Sequence, residues 1–235
     1  MWTQGLNKMY GAWTEGRQLI EYLRNYNSRG NNTVHYYGTD IGGFYYNWKL
    51  PLDMILKYLE TVDLDYSVCL RDRLNPFMDF LSTDARLNYS ENMSTSQQNA
   101  LAEVLNDTLL HFDAHEEQYS LESSAEEFQW ARQSMYSMRM AENYYRNYDN
   151  MKNRATSNYV GLNGREIAMA CNAEWVLKQR GADAKVIWIE HVVHTKTKSQ
   201  HQDGVWGFFT PAAQILRQSL KVMVIPLLLL SSEDN

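Results

Sequence analysis

From Leu50 to about Ala155 the chain keeps helical period almost without a break, and any fold must accommodate that block. Pro51 opens a helix with Leu52, Ile55, Leu56 and Leu59 on one face, since its fixed φ and missing N–H suit a first turn. Asp63 can cap a second helix running towards Leu81. "STDARLNYSENMSTSQQ" is polar and is expected to be a loop with room for a short turn. Two further helices are predicted over Ala100 to His115 and Glu122 to Tyr148. The second is amphipathic through Phe128, Ala131, Met135, Met138 and Tyr145. No internal repeat of fixed period is present. Residues 49–160 are therefore expected to form a helical subdomain.

The flanks follow a different pattern. Leu6 to Tyr26 has apolar residues at helical spacing, and "NSRGNN" supplies the stop. "TVHYYGTD" is short, aromatic and β-branched, which predicts a strand with Asp40 just past its end. Near the other terminus a helix is predicted from Arg165 to Gln179, with Asn163 able to cap it and Gly181 to stop it. Ala184 to Ile189 is a near-continuous apolar run, the pattern of a strand covered on both faces in a parallel sheet. A helix from Pro211 and a last strand, "KVMVI", complete the pattern. The predicted fold class is α/β: a layered parallel sheet with few strands, contributed by residues 1–48 and 161–235, plus the helical insertion.

Bulk properties exclude several classes. The net charge of −6 offers no surplus of cations for phosphates, so a nucleic-acid partner is not expected. The run Val222 to Leu230 is too short to span a bilayer and contains Pro226, so no membrane partner is expected. Cys69 and Cys171 lie far apart with no CxxC, which fits a reducing compartment; a cytoplasmic location is the corresponding expectation. The 16 tyrosines and 7 tryptophans suit both a wet aromatic core and a pocket for a large, partly apolar ligand.

Chemistry-bearing residues gather where the predicted strands end. In open parallel sheets ligands sit outside the carboxyl ends of the strands. Asp40 follows the first strand; Glu190, His191 and His194 follow "KVIWI". Histidine there can serve as base, acid or oxyanion donor, and a neighbouring carboxylate can fix its tautomer. Metal binding by His191, His194 and His201 lacks the HExxH spacing and a further ligand at a familiar offset. His111 and His115 share a helix face at i, i+4, again with no third ligand indicated. "GTDIGG" does not match GxGxxG, and no GxSxG elbow occurs. No metal and no cofactor are expected.

Taken in order, these segments resemble the erythromycin esterase family. "REIAMACNAEWVLKQRGADAKVIWIEHVVH" is similar to the family segment R-D-x-x-M-A-x-N-x-x-W, a strand, then A-H-N-x-H-V, matched here by Arg165, Met169, Ala170, Asn172, Trp175, His191 and His194. "WTEGRQLIEYLRNYN", "VHYYGTD" with Asp40, and "TPAAQILRQSLKVMVI" resemble the family's early helix, its following strand and its closing helix and strand. The resemblance implies an ester or macrolide lactone as substrate, in keeping with antibiotic resistance, and attack by a water that a histidine base activates. By resemblance His191 orients substrate or stabilises the oxyanion and His194 supports it, with Glu190, Asp40 and Arg165 as expected substrate contacts.

There are departures. The G-E-x-x-H-G motif that carries the family's base does not occur in this sequence, and Val192 replaces the asparagine between the two histidines. Both ends look cut relative to the family pattern. The alternative expectation is accordingly an inactive remnant or a helical interaction module, with a homo-oligomer formed through an exposed sheet edge.

Overall fold

A computed structural model of the protein describes residues 13–30, 33–41, 48–81, 85–148, 160–181, 183–202 and 207–220. Along the chain come α1 (Thr14–Arg29), α2 (Lys49–Val62), α3 (Leu64–Leu74), a 3-10 turn (Asn75–Phe77), α4 (Ala85–Asn92), α5 (Thr95–Ala114) and α6 (Glu116–Glu122). There follow α7 (Ala125–Tyr148), α8 (Val160–Arg180), α9 (Val192–Thr195), β1 (Gln200–Gln202), β2 (Gly207–Phe209) and α10 (Ala212–Leu220). The chain forms two compact units, Met1–Gly38 with Gly42–Met135, and Thr39–Ile41 with Tyr136–Asn235.

The first unit is helical for the reasons visible in its periodicity. α2 carries Pro51 in its first turn and buries Leu52, Ile55, Leu56, Leu59 and Val62 as one stripe. The polar stretch expected to be a loop contains α4, and Ser94 then starts α5 with a capping box. The Ser94 hydroxyl accepts from the Gln97 N–H while the Gln97 side chain accepts from the Ser94 N–H. α5 buries Leu101, Val104, Leu105 and Phe112. Phe112 lies among the rings of Tyr58, Tyr119 and Phe128 at centroid distances of 6.0–6.1 Å.

Asp63 holds the corner between α2 and α3. Its Oδ1 accepts the Tyr66 N–H at 2.8 Å, which caps α3. Its Oδ2 accepts from the Tyr119 hydroxyl at 2.6 Å and lies 3.3 Å from His111 Nε2. His111 Nε2 is also 2.7 Å from the Tyr119 hydroxyl, and the Tyr66 ring stacks flat on the imidazole at 3.4 Å. His115, one turn on, donates from Nδ1 to the His111 carbonyl. The i, i+4 histidine pair thus belongs to a helix corner.

The second unit gathers around Met169, Ala170, Ala173, Ala212 and Leu216, with Trp188, Ile215 and Leu220 packed against them. α8 ends at Gly181, whose φ of 87° is the left-handed conformation that favours glycine after a helix. In α7, the buried Glu142 takes Arg139 at 2.7 Å and Arg146 at 2.7 Å, so its charge is matched twice.

Among the described residues the layered parallel sheet is not formed. Among the described residues the one strand pairing is β1 with β2, antiparallel, with His201 opposite Phe208. Residues 33–40 and 184–190 belong to no ladder, and "KVMVI" lies outside the described residues. Two local causes stand out. The Asn27 side-chain amide accepts the Val34 N–H and donates to the Val34 carbonyl, both at 2.9 Å, taking the place of a neighbouring strand. In 184–190 the half-buried Trp188 packs on the core, while Ile187 is 90% and Ile189 68% exposed, so the run is covered on one side at most. Strand propensity expresses itself only with neighbours on the sheet, and these segments lack them among the described residues. Among the described residues the expected oligomerising sheet edge therefore has no parallel sheet behind it.

The Asp63 corner carries a pH dependence. Burial pushes the His111 imidazole below its ordinary 6.5, His115 adds to this, and Asp63 opposes it without prevailing. Burial alone would raise the Asp63 carboxyl, but hydrogen bonds from Tyr119, the Tyr66 N–H and His111 hold it below its ordinary 3.8. Both groups bind protons more readily unfolded than folded, so unfolding takes up protons and stability falls with acidification. The His111 contribution is complete above 6.5 and is lost as pH falls through the lower folded value. In melts between about pH 7 and 5, His111→Gln is expected to lose less melting temperature than the parent protein. An equal loss in both would remove this role for His111.

Candidate active site

α8 carries the residues that build the site. Arg165 and Asn172, two turns apart, lie on one helical face. Arg165 meets the Asp40 carboxylate with both prongs, Nε to Oδ1 at 2.8 Å and Nη2 to Oδ2 at 2.6 Å. Asn172 donates from Nδ2 to the Thr39 carbonyl at 2.9 Å, and its Oδ1 accepts from the Ser137 hydroxyl at 3.1 Å. Trp188 donates from Nε1 to the Thr39 hydroxyl at 3.0 Å. Three side chains thus fix residues 39 and 40 against α8, without help from a strand. Burial opposes the charge on Arg165, but the hydrogen bonds and negative charge of Asp40 outweigh it and hold the guanidinium above its usual value.

The next residue, Glu166, turns to a different neighbour. It is fully buried; Oε1 lies 2.6 Å from His194 Nδ1, and Oε2 accepts the Ala212 N–H at 2.8 Å. Ala212 opens α10, where a carboxylate also meets the positive end of the helix dipole. One turn earlier, Asn163 Oδ1 accepts the Thr210 N–H at 3.0 Å. Asn163 lies inside α8, whereas the sequence predicts it as a cap. His194 is itself buried, with Nε2 3.4 Å from Arg165 Nη1 and its ring against Phe209. Asp40, Arg165, His194, Glu166 and the start of α10 form one continuous polar line.

His191 is placed differently. It is the N-cap of α9, its Nδ1 accepting the Val193 N–H at 3.3 Å and its carbonyl the His194 N–H at 2.9 Å. The ring is exposed and stands edge-on to His194 at 6.2 Å. Its Nε2 has no hydrogen-bond partner among the described residues. Glu190 Oε1 accepts the His191 N–H at 3.1 Å. Of the five residues singled out by sequence, three are joined by hydrogen bonds (Asp40, Arg165 and His194), while Glu190 and His191 lie on the adjoining turn. Among the described residues no three His, Cys, Asp or Glu side chains are placed to share a metal ion, and the His201 side chain lies outside them. Glu166 is not among the residues singled out by sequence. Its signal is the acid that follows Arg165 where the family segment reads R-D.

The family model for erythromycin esterase matches residues 3–225. The chain belongs to the erythromycin esterase family. No curated protein sequence matches it. Among solved structures, a mutant of the erythromycin esterase EreC in its open conformation is similar, with a TM-score of 0.66 at 13% identity. The match covers 86% of this chain and 49% of that one, so the chain spans about half the length of the structure it resembles. That likeness is one of fold.

The ion pair lends itself to a stability test. An exposed pair contributes under about 1 kcal/mol and breaking a buried one costs about 3–5; this pair is 17% and 28% exposed. Asp40→Ala is therefore expected to cost about 2 kcal/mol, read as a lower urea midpoint, and Asp40→Asn less. An unchanged midpoint for Asp40→Ala would show that the pair does not hold this segment.

Proposed function

We propose that the chain acts in hydrolysis of an ester or macrolide lactone, by attack of water on the carbonyl. Membership of the erythromycin esterase family supports an ester-hydrolysing role and a small-molecule substrate. The single observation that carries the reading is the contrast between the two histidines: His194 is buried and held at both ring nitrogens, while His191 is exposed one turn away on the same short helix. In this proposal His191 orients the substrate carbonyl or donates to the oxyanion, and His194 supports it. Arg165 and Asp40 fix the wall beside them, and Glu190 lies at its rim. The family's histidine base belongs to a motif that these 235 residues do not contain, and no residue here is assigned that part.

The test is hydrolysis of erythromycin, related macrolides and simple esters by the purified protein. Loss of one oxyanion donor typically costs about 100- to 1,000-fold in kcat, and His191→Ala is expected to lose that much. Turnover unchanged in His191→Ala, or no turnover of any ester, would overturn the proposal.

A second reading, action through association, has its own observation. Val186, Ile187, Ile189 and Val192 are all exposed beside the site. On that reading sedimentation shows a dimer or larger species that Ile187→Asp disperses. A monodisperse monomer over a wide concentration range would sink it.

A further inference from the structure

We infer that Glu166 is a positioning residue for the histidine pair, fixing the tautomer of His194 and anchoring the turn that presents His191. The inference rests on the hydrolase reading for its catalytic consequence but not for its structural content. A carboxylate only accepts hydrogen bonds, so the 2.6 Å contact places the His194 proton on Nδ1. A guanidinium only donates, so Nε2, 3.4 Å from Arg165 Nη1, is left as the acceptor. The two neighbours select the same tautomer, and each occupies a different edge of the ring. Arg165 is in turn held by both oxygens of Asp40, which leaves Nη1 for the histidine.

The second oxygen of Glu166 extends the reach of this arrangement. It accepts the Ala212 N–H at 2.8 Å, so a single fully buried carboxylate ties α9, through His194, to the first residue of α10. α9 is only four residues long, too short to hold its own conformation. His194 is its one buried residue and His191 its N-cap, so the direction of the exposed imidazole follows from where His194 is held. Glu166 thus acts on the substrate-facing ring through two intermediaries and touches no substrate itself. Glutamine is nearly the same shape but brings an NH2 in place of one acceptor. In Glu166→Gln one of the two N–H groups, from His194 or Ala212, must face that NH2.

The experiment is long-range 1H–15N correlation spectroscopy of the imidazoles at alkaline pH, with the His194 signals assigned by their loss in His194→Gln. The parent protein is expected to show His194 as the Nδ1–H tautomer. Glu166→Gln is expected to shift that signal or mix the tautomers, and Glu166→Asp, which keeps the carboxylate, to restore part of the parent pattern. Activity supplies an independent readout: supporting residues of this kind commonly cost about 10- to 100-fold, and the loss is expected in kcat with KM little changed. A parent spectrum showing Nε2–H overturns the inference, even if no variant folds. So does a Glu166→Gln protein with the parent His194 signals. A parent protein that hydrolyses no ester overturns the hydrolase reading alone, and the spectra still decide the part played by Glu166.

Discussion

A fully buried carboxylate needs a donor on each oxygen, and Glu166 meets that demand with two N–H groups from two separate segments. The second unit depends on this constraint. An ionised group left unpartnered in that position would cost several kcal/mol, so the segments at 191–195 and 209–212 are not free to drift from α8. The preceding residue does the same for another stretch of chain, since a guanidinium with low exposure needs a carboxylate and Asp40 is the one supplied. Adjacent residues on a helix point about 100° apart, so two consecutive charged side chains can tie two different segments to one helix. The apolar cluster of Met169, Ala170, Ala173, Ala212 and Leu216 is non-directional and leaves many arrangements open. The hydrogen bonds of Arg165, Glu166 and Asn172 select among them.

How much was legible in the sequence divides along the same line. Helices announced themselves because their signals are local: the stripe of α2, the cap at Asp63, the glycine after α8 and the proline before α10 each depend on neighbours within a turn or two. The capping box at Ser94 and Gln97 was also local and lay in plain view inside a stretch that its polarity made look like a loop. Strands are less legible, because a strand is a relation between segments. "TVHYYGTD" and "AKVIWI" have the right residue types, yet in the first an asparagine side chain occupies the Val34 backbone, and the second has one large side chain packed on the core.

The site shows a similar split. Arg165, Asp40, His191 and His194 stand out in the sequence because they fall, in order, within the segments that resemble the family. Their pairing does not: Asp40 and Arg165 are 125 residues apart, and nothing in a one-dimensional pattern says which carboxylate meets which guanidinium. Glu166 stands out less in the sequence, for the converse reason. A glutamate in a helix is usually a solvated residue, and only the burial of its surroundings shows otherwise.

The run from Val186 to Ile189 has a consequence for the life of the chain before it is folded. Four consecutive apolar, β-branched or aromatic residues, three of them (Val186, Ile187 and Ile189) exposed even in the folded chain, make a short adhesive segment in any nascent or partly unfolded molecule. It is bracketed by Lys185 and Glu190. Flanking charges of this kind act as gatekeepers, because stacking the segment in register would also stack like charges at each end. Glu190 thus serves both as a guard at the end of this segment and as a neighbour of the two histidines. A change there that improved a fit to some ligand would also remove one of two guards against self-assembly, which narrows what drift or selection can do at that position.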